Sequence, residues 1–412
     1  MINIFVIMFA TLFVLIGNVS VSAAGFRLPD ASVAAMSMAN AFTAQADDAS
    51  ATWYNPAATT KLDGTQVQTG ANLITPTMRH TPTNGQVDDS ASTTHIQPHL
   101  FATHKIGGRW SASIGVTAPF GLASDWSATN SPTKYVATYS QIVAVNTNAN
   151  LAYKLTDGFS VAGGLDIVQL DADLAKSISP YLPQYGELSL KGSGTGVGAN
   201  LAAYFAPNDK LSFGASWRSD VRVDINGTAK TTGTAVLDNS ASTTLTLPAS
   251  LQFGTSWKAT EKLIVNADLE YTAWSSYDKL IIQSQTISQI PGSTSDTSTD
   301  IKDWKDVWAV RLGMQYAMRQ WLKIRGGLLY DSNPVPDERF ETRVPDSDRI
   351  GFSTGLGLKK GPFTCDIGYM FLYFKPRNIL NSIGGGSSVI SSLNGEYNSH
   401  AHLVGATLGY AF

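Results

Sequence analysis

Six histidines are the residues of this chain best suited to carry protons or bind a metal: His80, His95, His99, His104, His400 and His402. On an extended strand, residues two or four apart share a face, so His95 goes with His99 and His400 with His402. A hydrolytic site needs a nucleophile with an oriented base, and a metal site needs further ligands; these spacings imply no acidic third partner. Gly192-Ser193-Gly194-Thr195-Gly196-Val197-Gly198 offers glycines for a phosphate cradle. Their two-residue period puts all four on one strand face, and no strand-to-helix transition follows, so nucleotide binding is rejected. Cys365 is the single cysteine; it allows no intrachain disulfide and reads as a small apolar strand residue. The chain is therefore not read as an enzyme, and no cofactor or metal is expected.

What surrounds these residues is a pattern of strands. Side chains alternate between faces along a strand, and a barrel in lipid must keep its outer face apolar. Leu263, Val265, Ala267, Leu269 and Tyr271 alternate with Asn266, Asp268, Glu270 and Thr272. Trp308, Val310, Leu312, Met314 and Tyr316 alternate with Ala309, Arg311, Gly313 and Gln315. The same holds for Leu322, Ile324, Leu328 and Tyr330 against Lys323, Arg325 and Asp331, and again over 363–373 and 404–412.

Fourteen strands are predicted, at 65–76, 93–105, 109–120, 134–154, 158–173, 190–206, 211–230, 245–258, 262–283, 304–318, 321–332, 348–359, 362–374 and 398–412. Short connections such as Lys360-Gly361 alternate strictly with long ones such as 375–397. Bacterial outer-membrane barrels have short periplasmic turns and longer outer loops, which a soluble all-β protein has no reason to reproduce. Tyr153, Tyr204, Trp257, Tyr316, Trp321, Tyr410 and Phe412 cluster near the short turns, where rings meet headgroups and hydrocarbon together. The expected fold is an all-β, 14-stranded antiparallel transmembrane β-barrel over residues 64–412, plugged by a small N-terminal hatch over 24–63.

The apolar run Ile4 to Ile16 is too short for a membrane helix and is followed by Val21-Ser22-Ala23, so residues 1–23 read as a signal peptide. Residues 24 to 63 show no sustained alternation, yet Phe26, Leu28, Met36, Met38, Phe42 and Trp53 are ill suited to a solvated tail. In the third strand, Pro119 lacks an N–H and Gly121 weakens pairing, so the pair either marks a place where the ladder fails or simply begins a loop. A net charge of −3 gives no basic field, and no nucleic-acid partner is expected.

Taken together these residues resemble the FadL family of outer-membrane transporters for long-chain fatty acids and other hydrophobic compounds. The similarity lies in Ala24-Gly25-Phe26-Arg27-Leu28, in Asp47-Asp48-Ala49 with Asn55-Pro56-Ala57, and in Pro119-Phe120-Gly121-Leu122-Ala123. It continues in Pro334-Val335-Pro336-Asp337-Glu338 and Val344-Pro345-Asp346-Ser347-Asp348-Arg349, so it covers the whole of the chain after the signal.

The resemblance implies a ligand held first by outer loops and then near the hatch, followed by lateral release into the outer membrane. Phe26, with Leu28 beside it, would lie near the inner ligand site, Asn55 would anchor the hatch, and Pro119, Phe120 and Gly121 would form the opening. A lumen lined by Asp268, Glu270, Arg311, Lys323 and Arg325 is a poor conduit for hydrocarbon, which agrees with a sideways exit. Leu122, Trp126 and Tyr135 suggest an apolar outer groove beside Lys134, which would pair with a fatty-acid carboxylate. Phe340, Arg339 and Arg343 invite the same reading. Aromatic hydrocarbons are the alternative cargo. A general porin or an outer-membrane enzyme are the remaining readings. Phe412, ending an alternating strand, resembles the signal by which the barrel-assembly machinery recognises its substrates, and a wall opening favours a monomer.

Overall fold

The computed structural model describes residues 25–83, 87–126, 130–383 and 393–412; the expected signal peptide lies outside them. Among the described residues no helix is long and apolar enough to cross a membrane, and the fold is built of strands. Six are continuous: β1 (Thr65–Pro82), β2 (His95–Lys105), β3 (Trp110–Asp125), β4 (Tyr139–Thr156), β5 (Phe159–Ser177) and β6 (Glu187–Asn208). Four are broken once: β7 (Leu211–Arg218, Val221–Thr231), β8 (Asp238–Leu247, Ser250–Lys258), β9 (Leu263–Thr272, Lys279–Gln283) and β10 (Thr297–Ile301, Val307–Arg319). The last four are β11 (Leu322–Asp331), β12 (Arg349–Lys360), β13 (Phe363–Ile379) and β14 (Gly395–Ala411). Neighbours pair antiparallel in chain order, and β1 pairs with β14 from Gln66–Ala411 to Pro82–Gly395, which closes the barrel.

All fourteen expected strands are present, and the differences lie at their outer ends. β5 runs on to Ser177 and β8 begins at Asp238, so the outer loops are shorter than the sequence suggests. β8 breaks beside Pro248, which has no N–H for the ladder, and β9 breaks at a 3-10 turn, Trp274–Ser276. The alternation is realised as expected. Leu269, Met314, Leu328, Ile367 and Leu408 stand exposed on the outer face, while Asn266, Asp268, Glu270, Arg311 and Arg325 are buried within.

The interior has two levels. Nearer the short turns, residues 25–62 fold as helices Val33–Met36 and Ala51–Tyr54 and a 3-10 segment Pro56–Lys61. Ser32 caps the first helix by accepting from Ala35 N, and Asn55 caps the 3-10 segment by accepting from Ala57 N (3.2 Å), with Pro56 at its first turn. Above this plug the inner face is apolar. Val168, Leu170, Val221, Val223, Ile225, Leu245 and Leu247 form one buried cluster with Phe26, Phe120 and Trp274. The expected polar lumen is thus the zone around the plug, and the upper zone is lined by hydrocarbon.

Candidate functional site

The body of the plug is tied to the wall by directional bonds. Asn55 Nδ2 donates to Thr43 O (2.9 Å) within the plug and to Ala203 O (3.0 Å) on β6. Asp268 accepts from the backbone N–H groups of Phe42 (3.0 Å) and Thr43 (2.8 Å). Asn148 and Asn150 of β4 both donate to Thr52 O. Arg218 lies 3.7 Å over the Trp53 ring, donates to Trp53 O (2.9 Å) and pairs with Asp166. Asp48 accepts from Ser50 N (2.9 Å); burial first, and Asp47 next, push its carboxyl up to about 6. Asp47 lies 3.7 Å from Lys323, and Pro56 and Ala57 are buried against the inner wall.

The wall itself is incomplete at one place. β2 pairs with β3 only from Lys105–Ser111 up to Leu100–Val116, leaving His95–His99 and Thr117–Asp125 without each other as ladder partners. The β3–β4 register shifts between Thr117 and Phe120, across Pro119. Gln97 Nε2 donates to Ala118 O (2.9 Å) across the gap. On the lumen side, the plug's first residues take the place of the missing strand. Leu28 N donates to Pro119 O (2.8 Å), Gly121 N donates to Phe26 O (2.9 Å), and Arg27 bridges Phe120. Gly121 makes this approach possible, because a Cβ there would lie 2.7 Å from the Leu28 side chain.

Two fastenings hold this arm. The buried Arg27 pairs with Glu270, which also pairs with Arg311 (2.5 Å), while Arg349 pairs with Asp331 (2.8 Å) close by. Gly25 N donates to Asp346 Oδ2 (2.6 Å), and burial pushes the Asp346 carboxyl up to about 6. Beside them Phe26 sits among Trp274, Trp304, Phe120 and Tyr277.

Two cavities meet at Phe26. The outer one encloses about 750 Å³ including its open mouth, with walls that include Leu122, Ile142, Leu174, Leu190 and Ile282 and with Glu341 and Arg343 among its polar lining. The inner one encloses about 1260 Å³ on the same measure. Its lining runs from Leu329, Met370 and Leu403 inside, past Gln97, Ala118 and Gly121, to Ile96 and Val143, which are 69% and 39% exposed on the outer surface. Phe26, Leu122, Ile142 and Val344 line both.

Of the residues expected to bind ligand, the structure brings Phe26, Leu28 and Leu122 to the inner cavity and leaves Trp126, Lys134 and Tyr135 outside both linings. Trp126 is buried and spends its Nε1–H on Thr342 O (3.0 Å), so it fastens one loop to another. Lys134 lies 5.4 Å over the Tyr135 ring. Arg339 pairs with Asp303, and Phe340 is buried 4.5 Å from Tyr397. Arg343 does line the outer cavity, bonded to Asp300, Glu341 and Val136 O. Glu341 is opposed by burial, yet Arg343 and Lys302 hold its carboxyl down to about 2. The histidines are dispersed: His99 meets Thr407 (2.8 Å), His80 stacks on Tyr397, and His402 meets Tyr369. Among the described residues no group of three or more His, Cys, Asp or Glu is placed to hold a metal. The four strand glycines lie where a Cβ would strike Val221, Val223 or Ile225 of β7, so their role is close packing. Trp274 and Tyr277, expected inside a continuous strand over 262–283, lie instead in the break of β9, and Trp304, expected to open a strand at 304–318, lies in the break of β10.

A closed, even-numbered antiparallel barrel with an apolar outer face, short turns at one end and a plugged lumen is an outer-membrane β-barrel. Residues 14–412 match the family described as outer membrane protein transport protein (OMPP1/FadL/TodX), and the chain belongs to that family. It is 25% identical over 438 residues to the long-chain fatty acid transport protein of Escherichia coli O6:H1, covering 94% of each chain. It is 24% identical over 454 residues to outer membrane protein P1 of Haemophilus influenzae, covering 95% of this chain and 96% of that one. Among solved structures, a Pseudomonas aeruginosa FadL homologue matches with a TM-score of 0.84 at 19% identity, over 94% of this chain and 100% of the other. The Pseudomonas putida toluene transporter TodX matches at 0.70 and 16%, over 95% and 99%. At these identities the two structures bear on the fold alone.

Proposed function

We propose that this protein imports long-chain fatty acids or similar hydrophobic molecules, held first in the outer cavity and released sideways into the outer membrane between β2 and β3. One observation carries the reading: the inner cavity is lined both by lumen residues such as Met370 and by the outer-surface residues Ile96 and Val143. Hydrocarbon gains about 0.8 kcal/mol per CH₂ on leaving water, and the plug zone, bonded by Asp268, Asn148 and Arg218, offers it no apolar path. The lateral gap does. Arg343 lines the outer cavity, bonded to Asp300, Glu341 and Val136 O, and is the cation an anionic head would meet there with its chain along Leu174, Leu190 and Ile282. The relatives named as long-chain fatty acid transport proteins support the same cargo. Aromatic hydrocarbons are a second reading, favoured by the rings around Phe26. In this account the barrel acts as a monomer and is inserted by the barrel-assembly machinery through its Phe412 strand.

The test is uptake of labelled oleate and labelled toluene by cells lacking their own transporter. The protein is compared with a variant in which Pro119-Phe120-Gly121 is replaced by Val-Thr-Val, so that β3 can pair throughout. Loss of oleate uptake in the variant is expected. Undiminished uptake would overturn lateral release, and toluene uptake alone would move the cargo to aromatic hydrocarbons.

A further inference from the structure

The gap between β2 and β3 is framed. Below it the ladder ends at the pair Leu100–Val116, and above it Ala91 N donates to Asp125 O (2.8 Å), so the two segments are joined again toward the outer loops. Between these limits one hydrogen bond crosses among the described residues, from Gln97 Nε2 to Ala118 O (2.9 Å). Gln97 is 3% exposed, and its Oε1 accepts from Asn72 Nδ2 (3.2 Å), directly opposite on β1. Asn72 Nδ2 donates also to Asp30 O (2.6 Å) of the plug. Each end of this chain is a backbone carbonyl, which only accepts, so its sense is fixed and Gln97 presents N–H to Ala118 O. His95 and Gln141 line the same cavity beside Ile96, Ile142 and Val143, but Gln97 alone is bonded across the gap among the described residues. The frame thus holds one donor and one acceptor face to face in an apolar setting.

We infer that Gln97 and the Ala118 carbonyl recognise the cargo's carboxyl head in its protonated form, which makes Gln97 a specificity-determining residue for acids over hydrocarbons. The inference rests on the reading of lateral release. A carboxylic acid carries a carbonyl acceptor and an O–H donor side by side. Inserted between the two groups, it accepts from Gln97 Nε2 and donates to Ala118 O, so neither is left without a partner. A hydrocarbon that parts them leaves a buried donor and a buried acceptor unpaired, which is the costly way to lose a hydrogen bond. The ionised head suits the pair less, because it has no proton for Ala118 O and carries a charge into an apolar place. Lipid lies just beyond, past Ile96, which is 69% exposed on the outer surface. The carboxylate takes its proton from solvent before it enters the frame, and no side chain has to donate one. Asn72 holds Gln97 Oε1 meanwhile, which keeps the N–H aimed across the gap.

The experiment follows labelled oleate and labelled 1-octadecene, which has no polar head, into the membrane fraction of cells that lack their own transporter and express the full chain. Gln97→Leu keeps the bulk of the side chain and removes its N–H. The ratio of oleate to 1-octadecene uptake is expected to fall about tenfold in this variant, the factor that corresponds to one buried hydrogen bond. Should Gln97→Leu fail to give the barrel's circular dichroism, Gln97→Met takes its place. A merely structural role would slow both cargoes by the same factor, and that result, or an unchanged ratio, would overturn the inference. The Val-Thr-Val variant at 119–121 separates the two claims. Undiminished oleate uptake there removes lateral release and this inference with it, whereas lost uptake there with an unchanged ratio in Gln97→Leu removes the inference alone.

Discussion

The zone around the plug and the zone above it are walled by the same strands, yet they are held together by opposite means. Around the plug, Asp268, Asn55, Asn148, Asn150 and Arg218 make hydrogen bonds that specify one position. Above it, Leu170, Val223, Leu245 and Leu247 offer contact without direction. A hydrogen-bonded plug resists displacement because each buried group left unpaired costs about 1–3 kcal/mol. An apolar wall lets a hydrocarbon slide, since one contact replaces another at little cost. The plug's first residues belong covalently to the first zone and by contact to the second. Strength below and slip above thus meet in the arm Gly25–Pro29.

The comparison breaks most visibly if the plug is removed. Deleting residues 30–62 should convert a barrel of low conductance in a planar bilayer into an open pore; unchanged conductance would mean that the plug does not seal it. Next in size is Arg218→Met, which leaves Asp166 buried without its cation and should cost the plug roughly 3–5 kcal/mol. Hydrogen exchange over residues 50–56 would report the loss, with strand protection elsewhere unchanged. Ile142→Ser, in the lining of both cavities, should do the reverse, lowering uptake of hydrophobic cargo while the plug's protection stays as it was. Gly121→Val forces Leu28 aside and should speed exchange at the Leu28 amide without altering residues 50–56.

The smallest effect is one of pH. Burial pushes Asp346 up to about 6, whereas an unfolded aspartate titrates near about 3.9. The folded state therefore takes up its proton first as the pH falls. Stability should rise as pH falls from about 7 to about 4, and Asp346→Asn should flatten that slope in thermal melts.

Most of the barrel was legible because lipid imposes a strict rule on alternate residues. Leu269 and Met314 face out and Asp268 and Arg311 face in, as their spacing requires. Pro119 was legible for a similar reason, since a missing N–H is a local fact. The site was less so. Trp126 and Lys134 looked like ligand contacts, but an indole N–H buried beneath loops had to find Thr342 O, and the lysine settled over Tyr135. The rings around Phe26 come from Phe120 at the kink of β3, from Trp274 and Tyr277 in the break of β9 and from Trp304 in the break of β10, and only the fold brings these three places together. That Phe26–Leu28 would replace the missing neighbour of β3 depends on where a plug comes to rest, which no local pattern encodes.

The most direct measurement is photocrosslinking with a diazirine-bearing fatty acid during uptake, with adducts mapped by mass spectrometry. The account predicts labels on Leu122 and Ile142 and then on Ile96, Gln97 and Ala118, along the way from outer cavity to lipid. Labels concentrated instead on Asp47, Gln66 and Lys323, which line the opening on the side of the short turns, would contradict lateral release and place the path through the plug.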